Sequence, residues 1–248
     1  MNIANINAEI RTLVDADTTS LTDAVLLRRV NDSYEEIVGK LIVQTAGGKW
    51  HFGDSNFTAL PTGLFTLVNS QEGYQLTGDG TTGINTTTPL LTFLGASVKT
   101  AAGLWSVLQP ITLWELLASG TDPVEYFKTD GMPQYYEKRE DFLILYPAPD
   151  NGVLVTLASG LKVFFQRTAA IFTAAEVTTG TKAPGFASPY HMLLVYKAAL
   201  PYAVSYKPAR VPFFVSEITR LEKDLLEFYS RRGTDERTTM KTKPISFH

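Results

Sequence analysis

The chain has 248 residues, 44% hydrophobic and 19% charged, with a net charge of -3 and no cysteine. That length builds one large domain or two modest ones, and the composition is globular rather than disordered. The slight acidity gives no basis for a broad phosphate-binding surface, and the lack of cysteine excludes a disulfide scaffold, thiolate zinc and a cysteine nucleophile.

The opening residues, MNIANINAEIRTLVD, carry no basic leader ahead of an apolar core, so no signal peptide is expected. No apolar run reaches the roughly 18 residues of a membrane span. The expectation is a soluble protein made in a cytoplasm. Ile6, Ile10, Leu13 and Val14 predict a short amphipathic helix over 5–14. Asp15 to Ser20 is a polar break, and Ser20-Leu21-Thr22-Asp23 fits a helix-start signal. Leu27, Val30, Tyr34, Ile37, Val38 and Leu41 then form one stripe along a helix over 21–43. Off that stripe lie Arg28, Arg29, Asp32, Glu35 and Glu36. Arg28–Asp32 and Arg29–Glu36 are local pairs worth a few tenths of a kcal/mol. Arg28 and Arg29 against Glu35 and Glu36 are either a solvated face or a subunit interface.

Gly47-Gly48 ends this helix, and the composition changes. From residue 50 to about 183, short Thr-, Val- and aromatic-rich runs alternate with turn residues. Predicted strands are 50–52, 56–60, 64–68, 74–76, 90–94 and 104–108, followed by a short helix over 112–118. Gly131-Met132-Pro133 opens a hairpin of strands 134–136 and 142–146. Asp150-Asn151-Gly152 leads to further strands over 153–158 and 162–167, completing a meander. Residues 172–184 look like a linker. Ser188-Pro189 starts a helix that Pro201 should kink or break. A last helix over 216–231 carries Ile218, Leu221, Leu225 and Phe228.

Two terminal helical segments are each too small to bury their stripes alone, so packing them together is the economical solution. This predicts an α+β protein. Its N- and C-terminal helices form a small discontinuous bundle, 1–48 with 186–248. An antiparallel β-sandwich or barrel-like domain, 49–185, is inserted between them.

Motifs for chemistry are weak. Gly78-Asp79-Gly80-Thr81-Thr82-Gly83 matches GxGxxG, but Ile84 to Pro89 will not open a helix, so a loop is expected. His51, His191 and His248 are scattered, and His191 reads as a structural histidine at a helix start. Asp15-Ala16-Asp17 lacks the rest of a calcium loop. There is no Gly-x-Ser-x-Gly elbow. Glu115, Asp122, Glu125, Asp130, Glu137, Glu140 and Asp141 mostly adjoin turns, where solvated carboxylates are ordinary. No catalytic, cofactor-binding or metal-binding residue is nominated, and no enzyme is expected. A carbohydrate-binding module using Trp105, Trp114 and Tyr135 is the rival from another class. A hydrolase using carboxylates of the β region is the third.

The C-terminal stretch reads RRGTDERTTMKTKPISFH. A polar, basic segment tipped by Ile245 and Phe247 is either a frayed end or a docking peptide that orders on binding.

Three stretches then carry a resemblance: LWELLASG, GMPQYYEKREDFLILYPAPDNGVLVTL and FTAAEVTTGTKAPGFASPYHMLLVYKAALPYA. In order and type, over about residues 111–204, they resemble the head-to-tail adaptor (connector, neck) proteins of tailed bacteriophages. The resemblance implies a structural virion protein. It would form a homo-oligomeric ring, twelve-fold like the portal, joining portal to tail as part of the DNA ejection conduit. The implied partners are the portal protein, neighbouring copies, and the next neck or tail protein, with DNA as passing cargo and no membrane. By position, the resemblance implies a portal-docking tail at Lys241, Thr242, Lys243, Pro244, Ile245, Ser246, Phe247 and His248. The β insertion over 50–108 is longer than in the smaller adaptors. Another neck or tail-tube component is the runner-up within this class.

Overall fold

The computed structural model describes residues 1–46, 52–78, 83–85, 90–112, 114, 117 and 127–235. The chain is α+β and divides into two compact units, 1–58 with 169–248, and 59–168. The boundaries differ from the expected 48/49 and 185/186. Phe52, Ala169, Phe172 and Phe186 are all buried in the helical core, so the connecting stretches belong to that unit.

In the helical unit, α1 (Ile3–Val14) is capped by the Asn2 side chain, which accepts from the Asn5 N–H. Ile3, Ile6, Ile10 and Val14 bury one face. α2 (Asp23–Ala46) starts after Thr22, whose hydroxyl faces the Val25 N–H at 3.5 Å. Ser20 is occupied with the Asp17 carboxylate instead, so the expected Ser20 start falls early. α3 (Ala174–Thr179) replaces the expected linker. Thr173 and Glu176 form a reciprocal capping box, and Gly180 closes the helix at φ 66°.

A 3₁₀ turn (Ser188–Tyr190) leads into α4 (His191–Tyr206), which runs through Pro201 without a break. Packing against α1, α2 and α5 offsets the hydrogen bond that Pro201 removes. α5 (Val211–Asp235) begins five residues before the expected Ser216. A 3₁₀ turn at Pro208–Arg210 feeds it directly, and Phe214 is buried in the core. α4 is the central helix: His191, Leu193, Leu194, Val195, Ala198, Ala199, Tyr202 and Ala203 are all buried.

The β unit holds two sheets. One has the order β1 (Thr62–Phe65), β9 (Leu161–Arg167), β4 (Leu90–Lys99), β5 (Trp105–Val107) and is antiparallel throughout. The other has the order β3 (Gly83–Asn85), β2 (Gly73–Gly78), β8 (Phe142–Tyr146), β7 (Tyr135–Arg139), β6 (Gln109–Pro110). There β2–β3 and β6–β7 run parallel. Phe65, Val98, Leu161 and Val163 from the first sheet and Leu76, Leu143 and Leu145 from the second share one core, as in a sandwich.

The hairpin of β7 and β8 is present, with Glu140 at φ 49° in its turn. The meander is not. Residues 153–158 contribute only an isolated bridge, Thr100 to Val155, because the Asp150 carboxylate accepts the N–H groups of Val153 and Leu154 and folds them into a turn. β9 therefore lies in the other sheet, between β1 and β4. Residues 56–60 form no strand. The expected strand 50–52 and helix 112–118 fall largely outside the described residues.

Candidate functional site

A buried polar cluster sits in the helical unit, on α2. Tyr34 is fully buried, as its place in the apolar stripe implies. Its hydroxyl donates to Asp54 Oδ2 and accepts from the Gly185 N–H at 2.6 Å. Asp54 Oδ2 also accepts from the Ala170 N–H at 3.0 Å, and Oδ1 from the Asn56 N–H at 2.9 Å. Asn56 Nδ2 donates to the Ala183 carbonyl at 3.0 Å. One turn earlier on α2, Asn31 holds Phe172 by both its N–H and its carbonyl, at 2.9 and 2.8 Å.

Burial, and then the adjacent Asp54 charge, push the Tyr34 phenol far above its ordinary range. A phenol so held keeps its proton and acts as a hydrogen-bond post. The packing leaves no room at Gly185, where a Cβ would lie 1.7 Å from Asp54 Oδ1. The cluster ties two stretches to α2: the one that leaves the helical unit near 54–56 and the one that returns at 170–185. Nothing in the sequence marks Asp54 or Gly185, because the cluster brings together residues such as Asp54 and Ala170, or Tyr34 and Gly185, that lie more than a hundred positions apart in the chain.

A second cluster joins three helices. Lys40 on α2 and Lys197 on α4 each contact both Glu36 on α2 and Glu222 on α5, at 2.8–2.9 Å. Burial pushes both carboxyls up, but the hydrogen bonds and charges of Lys197 and Lys40 outweigh it and leave them below their ordinary value. Glu36 is thus engaged within its own chain, with Lys40 and Lys197 rather than Arg29. Arg28 and Glu35 are exposed. Arg29 is half-buried, and its Nη1 is buried without a partner.

The other nominated residues do not converge. His191 is buried, its Nε2 against the Phe186 carbonyl at 3.0 Å and its Nδ1 against the Met1 amine at 2.7 Å. Burial pushes its pKa down. Asp17 organises the α1–α2 turn through Thr19 and Ser20, and Asp15 pairs with Lys207. Trp105 lies on β5 with Lys162 Nζ 3.8 Å above its ring, while Tyr135 lies on β7 of the other sheet. Trp114 is exposed. Most of the GxGxxG stretch, His51, and the whole segment Lys241 to His248 lie outside the described residues. Among the described residues, no group of three His, Asp or Glu side chains could hold a metal ion.

Apolar side chains outside the cores are the remaining feature. Where α4 passes into α5, Val204, Tyr206, Phe213 and Val215 are 58%, 67%, 53% and 47% exposed. Tyr202 and Tyr206 pack ring to ring at 4.6 Å, and Tyr196 lies 5.9 Å from Phe213. Val204 and Tyr206, like Phe213 and Val215, are two residues apart on one helix, so each pair points in different directions. No family model matches this chain, and no curated protein matches it. Among the described residues, no helix is long and apolar enough to cross a membrane.

Proposed function

We propose that this chain is a structural, non-catalytic virion protein of the head-to-tail adaptor type, one subunit of a ring between portal and tail. The observation that carries the reading is the set of exposed apolar side chains near the α4–α5 junction, above all the aromatics Tyr206 and Phe213. Exposed aromatic side chains are enriched at surfaces that another protein covers. Helices α2, α4 and α5 are tied together by the Lys40–Glu36–Lys197–Glu222 square, which suits a part that transmits load rather than one that opens.

The resemblance over residues 111–204 supplies the identity of the cover, the portal. The element order supports it, with helices from both ends forming one unit and the β unit inserted between them. The slight net negative charge suits a conduit that must not grip DNA. In this reading Lys241 to His248 complete the portal contact, Arg28, Arg29 and Glu35 face the neighbouring subunit, and the β unit faces the next ring. The ring is twelve-fold to match the portal, and the protein resides at the head–tail junction after synthesis in the host cytoplasm.

The reading is tested by co-sedimentation with purified portal rings. Wild-type chain should pellet with the portal, and Tyr206→Asp with Phe213→Asp should abolish this while leaving the helical circular dichroism unchanged. Undiminished binding by the double variant would remove Tyr206 and Phe213 from the interface. A wild type that stays in the supernatant would remove the portal.

A further inference from the structure

The first sheet of the β unit breaks the usual division between its two faces. Phe65, Ala96, Val98, Leu161 and Val163 point into the core. In an antiparallel sheet with one face in the core, the alternate positions are expected to be polar. Here the register sets Leu64 opposite Lys162, sets Lys162 and Val107 on either side of Ser97, and sets Trp105 opposite Lys99. Residues directly opposite share a face, and so do residues two apart on one strand. Leu64, Phe164, Trp105 and Val107 therefore lie on the outer face, with Lys99 and Lys162 among them. The apolar four are 53%, 38%, 38% and 69% exposed. With the lysines they span all the strands of the sheet, so they form a patch rather than scattered single side chains.

The charge of this face is one-sided. The whole chain carries 25 acidic against 22 basic residues. The strands of this sheet carry Lys99, Lys162 and Arg167, and no Asp or Glu. Among the described residues, neither lysine joins an ion pair. Lys162 instead holds its Nζ 3.8 Å from the centre of the Trp105 ring. Two lysines without a carboxylate leave an apolar surface with net positive charge.

We propose that the outer face of this sheet docks a partner protein whose surface sets carboxylates among apolar side chains. Leu64, Phe164, Trp105 and Val107 supply area to be removed from water, and the partner's carboxylates pair with Lys99 and Lys162. Single-stranded nucleic acid is another anionic ligand that aromatics and lysines together can take. The geometry favours the protein. The Lys162 ammonium already lies over the ring on which a base would stack, and Leu64 and Val107 offer a base no stacking plane. The inference does not rest on the portal contact proposed above.

The test uses the full chain, immobilised for biolayer interferometry, and a defined probe: a random copolymer of glutamate and tyrosine. Polyglutamate and oligo-deoxythymidine are the comparisons. The copolymer should bind, more tightly than polyglutamate, and added salt should weaken it. Oligo-deoxythymidine should bind far more weakly. Lys162→Glu and, separately, Val107→Asp should each weaken copolymer binding several-fold, so the test survives if one of them disturbs the sheet. Lys138→Glu, at an exposed position on the other sheet, should leave binding unchanged. No copolymer binding would overturn the proposal, as would undiminished binding by both variants or equal loss with Lys138→Glu. Polyglutamate binding as tightly would overturn it by showing that charge alone acts. Equally tight oligo-deoxythymidine would overturn the choice of a protein partner. Copolymer binding together with failed portal co-sedimentation would keep this face and remove the adaptor reading. The reverse pattern would do the opposite.

Discussion

Replacing Tyr34 with Phe tests whether the buried cluster on α2 holds the helical unit together. The ring is retained, so its stacking on Phe172 at 5.5 Å between centroids survives. Only the hydroxyl goes. The Asp54 carboxylate then loses one of its donors, a charge-assisted bond that contributes about 1.5–3 kcal/mol. The buried Gly185 N–H loses its acceptor, and an orphaned buried donor costs about 1–3 kcal/mol. The two losses overlap, because the cluster can relax around the missing atom, so about 3 kcal/mol is the expected total. With a urea slope of about 2 kcal/mol per molar, the unfolding midpoint should drop by about 1.5 M. Urea titration followed by helical circular dichroism reads this directly, and the slope should not change. A shift below about 0.3 M would mean that the hydroxyl is not a structural post, and the reasoning about the cluster would be refuted.

Other expectations follow from the same geometry. Gly185→Ala should be harsher than Tyr34→Phe, because its Cβ would meet Asp54 Oδ1 at 1.7 Å and backbone would have to move. A variant with wild-type thermal stability would contradict that. Acid should weaken the helical unit. Glu36 and Glu222 have carboxyls lowered on folding, so the stability they contribute is complete above the ordinary value of 4.5 and is lost as pH falls through their lower folded values. Glu222→Gln should therefore be less stable than wild type at neutral pH and lose less on acidification below about pH 4.5. Equal pH slopes for the two proteins would remove the square from the account. Arg29→Met should be neutral or stabilising by up to about 1 kcal/mol in the free chain, since the Nη1 it deletes is buried without a partner. A clear destabilisation would show that Arg29 is satisfied in solution.

Much of the framework could be read from residue spacing. The 3.6-residue stripe of α2, the hairpin from Tyr135 to Tyr146, and the pairing of both chain ends into one helical unit all follow from local periodicity and the need to bury it. The errors lie where a single side chain overrides the local pattern. Asp150 turns a β-rich run into a tight loop, and Thr173 with Glu176 caps a helix inside a Thr-rich stretch that looks like a linker. Pro201 is expected to kink or break α4, and the helix continues through it without a break, packed against α1, α2 and α5. The clusters at Tyr34 and Lys197 were not legible, because each joins residues from distant parts of the chain and has no spacing signature. The exposed side chains of Phe213 and Leu154 were hidden for the opposite reason. In the sequence, Phe213 or Leu154 reads like any core residue, and only the fold shows it facing water.

The central claim is a ring subunit at the head–tail junction, and its most direct test is stoichiometry. Quantitative peptide mass spectrometry on purified phage particles, scaled to the portal protein, counts copies where the protein acts. The account predicts about one copy per portal subunit. Absence from particles, or a ratio many-fold higher, would contradict it.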